Sequence, residues 1–180
     1  MGSTPVFGWP YPDPSDLVRD APTAFEALGT AIEGVVDGAI IQVVAASSTA
    51  VVTNSTNTYT DTGVTATITP RGTASRIVAM ANHMVVSNAS TDYVGIQMLR
   101  GTAVVFTPVT NATGPYDVGS EGTFYVRVPL MVVDSPATSS ATTYKTQFRR
   151  YANAGTAAIN GDGFQTTPST STIVLMEVAS

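Results

Sequence analysis

From Ile40 to the C-terminus the sequence keeps a period of two, and no stretch there keeps the 3.6 period of a helix. In "TYTDTGVTATITP" Val64, Ala66 and Ile68 fall on one parity and Thr65, Thr67 and Thr69 on the other. The runs "IIQVVAAS", "AVVTNS", "RIVAMANHMVV", "YVGIQMLRG", "AVVFTP", "TFYVRVPLMVV", "TTYKTQFRRYA" and "TIVLMEV" read as further strands, with a hairpin turning at Gly101. Gly, Pro, Asn, Asp and Ser clusters separate them: "TNSTN", "TPRGT", "SNASTD", "TNATGP", "VGSEG", "DSPATSS", "NGDG" and "TTPSTS". Short strands joined by turns, without intervening helices, predict a mainly β chain with an antiparallel sandwich or jelly-roll-like domain over 40–180. Pro129 removes a ladder donor, so its strand belongs at an edge or carries a bulge.

The first 38 residues follow other rules. Pro5, Pro10, Pro12 and Pro14 fix φ and bias each preceding residue away from helix. Residues 1–19 therefore read as an extended, polyproline-like docking arm, with Phe7, Trp9 and Tyr11, flanked by Pro10 and Pro12, as its anchors. The alternative is a disordered tail. Over 20–38 a short amphipathic helix is expected, with Asp20 as cap and Pro22 in the first turn. Phe25, Leu28, Ile32 and Val35 recur at the spacing of a coiled-coil seam. At this length, and with Gly29, Gly34 and Gly38, the helix needs partners to persist. Those partners are either sister chains, three of them fitting the pattern, or the chain's own β-domain.

Chemistry-bearing residues are few. The 180 residues include no cysteine and one histidine, which excludes disulfides, thiol nucleophiles and a His-cluster metal site built by one chain. His83 lies in a strand pattern and reads as a sheet residue; a ligand role would need several copies around an axis. Asp61-Thr62-Gly63 matches the aspartic-protease triplet but has no second copy, and reads as a polar turn. Asn160-Gly161-Asp162-Gly163 lacks the acids of a calcium loop and reads as a tight turn. The glycosylation triplets at Asn54, Asn88 and Asn111 are expected by chance in a Ser/Thr-rich chain. No catalytic residue, metal ligand or cofactor site is expected, and the chain reads as a non-enzyme.

The eight Lys and Arg residues are scattered and the net charge is −5, which argues against a nucleic-acid partner. No apolar run reaches the roughly 20 residues of a membrane span, so no membrane insertion is expected. No signal peptide is recognisable, so synthesis in a cytoplasm is expected. Charged residues make up only 12%, and the outer faces are expected to be rich in Thr, Ser and Asn, suited to staying soluble or to weak contacts with glycans.

The segment "FGWPYPDPSDLVRDAPTAFEALGTAIEG" resembles the N-terminal leader of small virion proteins of tailed bacteriophages, in which a "YP-x-P-x-D" segment precedes a helix containing "A-x-x-AL-x-x-AIE". "TYTDTGVTATITPRGTASRIVAM", "MVVDSPATSSATTYKTQFRR" and the closing "STIVLMEVAS" are similar to a β-sandwich module of phage head and tail fibres. The likeness covers about residues 7–48 and 57–178. It implies a homotrimeric fibre or decoration protein of a virion, mounted by residues 1–38 on a capsid or tail protein, with the β-domain outward and no catalytic residues. Two rival readings are a tail module that binds a host-surface glycan, and a small glycan-cleaving enzyme assembling Asp92, Asp117 or Glu121 at chain interfaces.

Overall fold

A computed structural model of the chain describes residues 2–13, 18–87, 94–106, 124–150, 155–161 and 169–179. Its body is an antiparallel β-sandwich, as the period of two requires. One layer is built on β6 (Arg76–Ser87). Along one side of β6 runs β9 (Phe124–Asp134), paired from Ile77↔Asp134 to Ser87↔Phe124. Along the other side lie two strands end to end, β12 (Ser171–Val178) and β11 (Ala157–Ile159). Beyond them β3 (Ile40–Ser48) pairs with β12, and β4 (Val52–Asn54) with β11. The second layer has the order β5 (Thr60–Ile68), β10 (Thr142–Arg150), β7 (Val94–Arg100), β8 (Ala103–Phe106).

Alternation decides which side chains meet between the layers. On β5 the buried residues are Thr62, Val64, Ala66 and Ile68, and Thr65, Thr67 and Thr69 face out, as the sequence parity predicts. Ile77, Ala79, Ala81, His83 and Val85 of β6 point inward, and so do Ser171, Ile173, Leu175 and Glu177 of β12. Tyr144 and Phe148 of β10 and Met98 of β7 close the core from the other layer. Pro129 lies on β9, the edge strand beside β6, the position where a strand tolerates a missing donor. The β7–β8 hairpin turns at Gly101, whose φ of 57° suits glycine.

One charged network ties the layers together. Asp134, at the end of β9, accepts hydrogen bonds from Arg100 Nη1 of β7 at 2.9 and 2.8 Å. It also accepts one from the Tyr144 hydroxyl of β10 at 2.6 Å. Burial, then the bond and charge of Asp134, push the Tyr144 phenol above its ordinary pKa, so it stays a donor at any physiological pH.

Two asparagines secure the strand junctions. Asn54 donates to the carbonyls of Thr58 at 2.8 Å and Phe148 at 3.1 Å, and its Oδ1 accepts from Thr56 N–H at 2.8 Å. Asn160, at φ 67°, donates to the carbonyls of Ser48 and Ala50, both at 3.0 Å, and so holds the β3–β4 crossover against the end of β11.

The leader departs from the expected rod. β1 (Gly2–Ser3) and β2 (Pro10–Tyr11) pair as a small hairpin. Thr4 and Trp9 close it through Thr4 N–H to Trp9 O and Trp9 N–H to Thr4 Oγ1, both 2.9 Å. Gly8, at φ 67°, supplies the left-handed residue that a chain of prolines cannot. A 3-10 turn at Val18–Asp20 then leads into α1 (Ala21–Val36). Asp20 occupies the N-cap position but makes no side-chain capping bond, because its backbone is already helical at φ −94° and ψ −6°.

Phe148 is fully buried between the layers. Replacing it with alanine leaves a cavity, and Phe148→Ala should lower unfolding stability by about 3–5 kcal/mol in a urea titration.

Candidate interaction surfaces

The residues singled out for docking lie on the small hairpin. Phe7 and Trp9 stack with ring centroids 5.2 Å apart. Phe7 and Tyr11 are exposed, and Trp9, Pro10 and Pro12 are half-buried. The hairpin packs against α1, where Ala24 is the buried contact. Pro14 and the rest of the 14–17 stretch lie outside the described residues.

The predicted seam of α1 faces away from the chain. Phe25 is 61% exposed, Val35 53% and Ile32 40%; Leu28 is half-buried. The helix packs on β2 and the 3-10 turn, and meets the body only marginally. Its exit is fixed: Gly38 N–H donates to Ala179 O, and Ala179 N–H to Ala39 O, both at 2.9 Å. The alternative in which this stripe covers the chain's own sheet is therefore not what the fold adopts.

The two sandwich faces differ sharply. The β5–β10 face is polar, as expected. Asp61 there accepts from Lys145 Nζ at 2.9 Å and Gln147 Nε2 at 2.7 Å, and Gln97 donates to Gln147 at 2.8 Å. Burial raises the Asp61 carboxyl, but the bonds from Lys145 and Gln147, with the Lys145 charge, outweigh it and hold the pKa below the ordinary value. A groove of about 140 Å³ opens beside Asp61 and Lys145.

The outer face of the larger sheet contradicts the expectation of a Thr, Ser and Asn surface. Its cross-strand rows read Val43–Met176–Val78–Val133 and Ala45–Val174–Met80–Met131. A third row, Ser47–Thr172–Asn82–Pro129, brings polar side chains, and Arg76 and Arg127 lie at outward positions beyond these rows. Met131, Val43 and Val133 are 63%, 59% and 58% exposed. An open groove of about 530 Å³ runs across Met80, Met131 and Val174.

The other motifs resolve into structure. The Asp61-Thr62-Gly63 triplet lies within β5 and not in a turn before it. Thr62 turns inward to bond Thr146 Oγ1 at 2.6 Å, leaving one exposed, salt-bridged aspartate. Asn54 is buried with its amide nitrogen committed, so it is no glycan acceptor. Asn88, Asn111, Asp92, Asp117, Glu121 and Asp162 lie outside the described residues. Among the described residues no group of three His, Asp or Glu side chains could hold a metal ion. His83 is fully buried, and neither ring nitrogen has a hydrogen-bond partner among the described residues.

No protein-family model matches the chain, and no curated protein matches it in sequence. Among solved structures it is similar to the VP2 subviral particle of infectious bursal disease virus, at 11% identity and a TM-score of 0.42. That match covers 78% of this chain and 38% of the viral one. T=1 particles derived from the same virus match at 9% identity and 0.42, covering 78% and 37%. Dimeric latent PorU from Porphyromonas gingivalis matches at 7% and 0.35, covering 79% and 13%. The chain thus spans little more than a third of the viral chains it resembles.

Burial, then the charge of Arg127, lowers the His83 pKa to about 4. The unfolded chain takes up this proton near pH 6.5 and the folded chain only near 4. Between these values the unfolded state binds more protons. Stability should therefore fall as pH drops from about 6.5 to about 4, by a total on the order of 3 kcal/mol from this group. A His83→Leu variant should lack that part of the slope in urea titrations run across the range; parallel slopes for both proteins would refute the assignment.

Proposed function

We propose that the chain is a structural component of a bacteriophage virion: a trimeric fibre or decoration protein, attached through residues 1–38 with the sandwich outward. One observation carries this reading. The leader that resembles phage virion leaders keeps its large apolar side chains out of its own chain's core, with Phe7 65% and Phe25 61% exposed. Such side chains gain about 2–3 kcal/mol each on burial, and sister chains and a particle protein can supply that burial. Phe7, Trp9 and Tyr11, with Pro10 and Pro12, form the contact with a capsid or tail protein. The stripe Phe25, Leu28, Ile32 and Val35 joins copies. Once joined, each arm raises the effective concentration of the others at the particle, so modest contacts hold without covalent links.

The role is non-enzymatic: it needs neither cofactor nor metal, and the protein reaches the virion from the host cytoplasm where it is made. It involves neither nucleic acid nor membrane insertion. A second reading, recognition of a host-surface glycan, is favoured by the polar ladder of Asp61, Lys145, Gln147 and Gln97 beside its groove.

Deleting residues 1–19 should abolish incorporation into sedimented virus particles while the protein stays soluble with the circular dichroism of a β-protein. Incorporation of the shortened chain at the full level would refute the arm. On a glycan array, binding that disappears with Lys145→Ala would establish the second reading, and a blank array would remove it.

A further inference from the structure

We propose that the apolar outer face of the larger sheet is the seat for α1 of a second copy, so that copies join head to tail, helix to sheet, instead of helix to helix. This rests on the reading that copies associate through α1, and it names the surface that receives the helix.

Five observations point to it. The face is apolar by position and not by composition, since the opposite face of the same sandwich carries Thr, Asp, Lys and Gln. Eight adjacent side chains in two rows make a patch on the order of several hundred Å², the size at which exposed apolar surface marks an interaction site. Shape also fits. A helix about 10 Å across covers two to three strands spaced about 4.8 Å, and the 16 residues of α1 span about 24 Å.

Charge fits as well. The ionisable residues within α1 are Glu26 and Glu33, with Asp37 just beyond, and all are acidic. The charged residues at outward positions of the four strands are Arg76 and Arg127, both basic, while Glu177 and Asp134 turn inward. An acidic helix with an apolar stripe thus complements an apolar face with basic ends, and such charges fix register and partner choice.

Finally, the chain does not lay its own α1 on the face. Only residues 37–39 separate α1 from β3, and the bonds from Gly38 and to Ala39 hold that link against Ala179 at the end of β12. The helix of one copy and the face of the next are left open together, and one contact closes both. A contact of this kind uses different surfaces on the two partners, so repetition closes a ring when the rotation permits, and three copies make the smallest ring larger than a pair.

The test uses full-length protein and sedimentation equilibrium. Val43→Lys/Met131→Lys spoils the face, and Ile32→Asp spoils the stripe; all three positions are exposed in the single chain, so the core is untouched. Wild type should weigh a multiple of 18.6 kDa. Each variant should raise the apparent dissociation constant at least tenfold, with the circular dichroism unchanged. Val133→Lys, at another exposed position, repeats the test if the double variant misfolds. Mixing the two variants should restore pairs, because the intact helix of one meets the intact face of the other.

The inference is overturned if the face variants keep the wild-type mass while Ile32→Asp dissociates, which would mean that helices pair with helices. It is equally overturned if the mixture stays single-chained. A wild type that is single-chained at all concentrations, or an Ile32→Asp variant of unchanged mass, would sink the association reading beneath it. Attachment to the particle is judged separately by the arm deletion.

Discussion

Every strand in this molecule has two faces, and the space between the layers can bury only one of them. That constraint decides the rest. Phe148, Tyr144 and Met98 from one layer and Ile77, Ile173 and Leu175 from the other fill the shared interior, and alternation then sends an equal number of residues outward. The smaller sheet answers with Thr and a hydrogen-bonded ladder of Asp61, Lys145 and Gln147. The larger sheet sends out Val43, Val133, Met131 and Met80 instead. An antiparallel sheet usually turns a polar side to water, and this one departs from that alternation on its outer face.

Polar groups inside the sandwich hold the layers in register more than they add stability. The Asp134 carboxylate is matched by Arg100 and the Tyr144 hydroxyl, so its charge is compensated where water is scarce. Asn54 and Asn160 each bond one strand carbonyl, of Phe148 and of Ser48, and one loop carbonyl, of Thr58 and of Ala50, and a slip of one residue would strand those amides without partners. His83 is the exception. Its unpartnered imidazole is stable only while neutral, which places a mild acid sensitivity at the middle of β6.

Much of this was legible in the sequence because it is written in short periods. The parity of β5, the edge position of Pro129, the Gly101 hairpin and the existence of an apolar stripe on α1 all follow from spacing and one or two residue types, although spacing alone left open which way that stripe faces. What escaped was set by contacts distant in the chain or by composition without a period. The strand β11 is three small or aliphatic residues after "YANAG", with no alternation to mark it. The leader's prolines argued for a rod, while the Thr4 side chain and the left-handed Gly8 close a hairpin. The apolar outer face was hidden in plain view. "RIVAMANHMVV" and "TIVLMEV" are apolar at both parities, and a single strand cannot say whether its second face meets its own protein or another.

The same physics separates this surface from an aggregation hazard. An exposed apolar sheet with a bare edge is a template for uncontrolled strand addition. Here the edge strand β9 carries Pro129, which removes a donor, and Arg127 two residues earlier, whose guanidinium reaches Thr170 O at 2.6 Å. Growth by strand pairing at that edge is discouraged, while the face remains open to a side-chain contact. A helix, with its backbone bonds satisfied internally, can cover such a face without extending the sheet. The chain carries such a helix in α1, whose apolar stripe is exposed and which packs on β2 and the 3-10 turn instead of on this face.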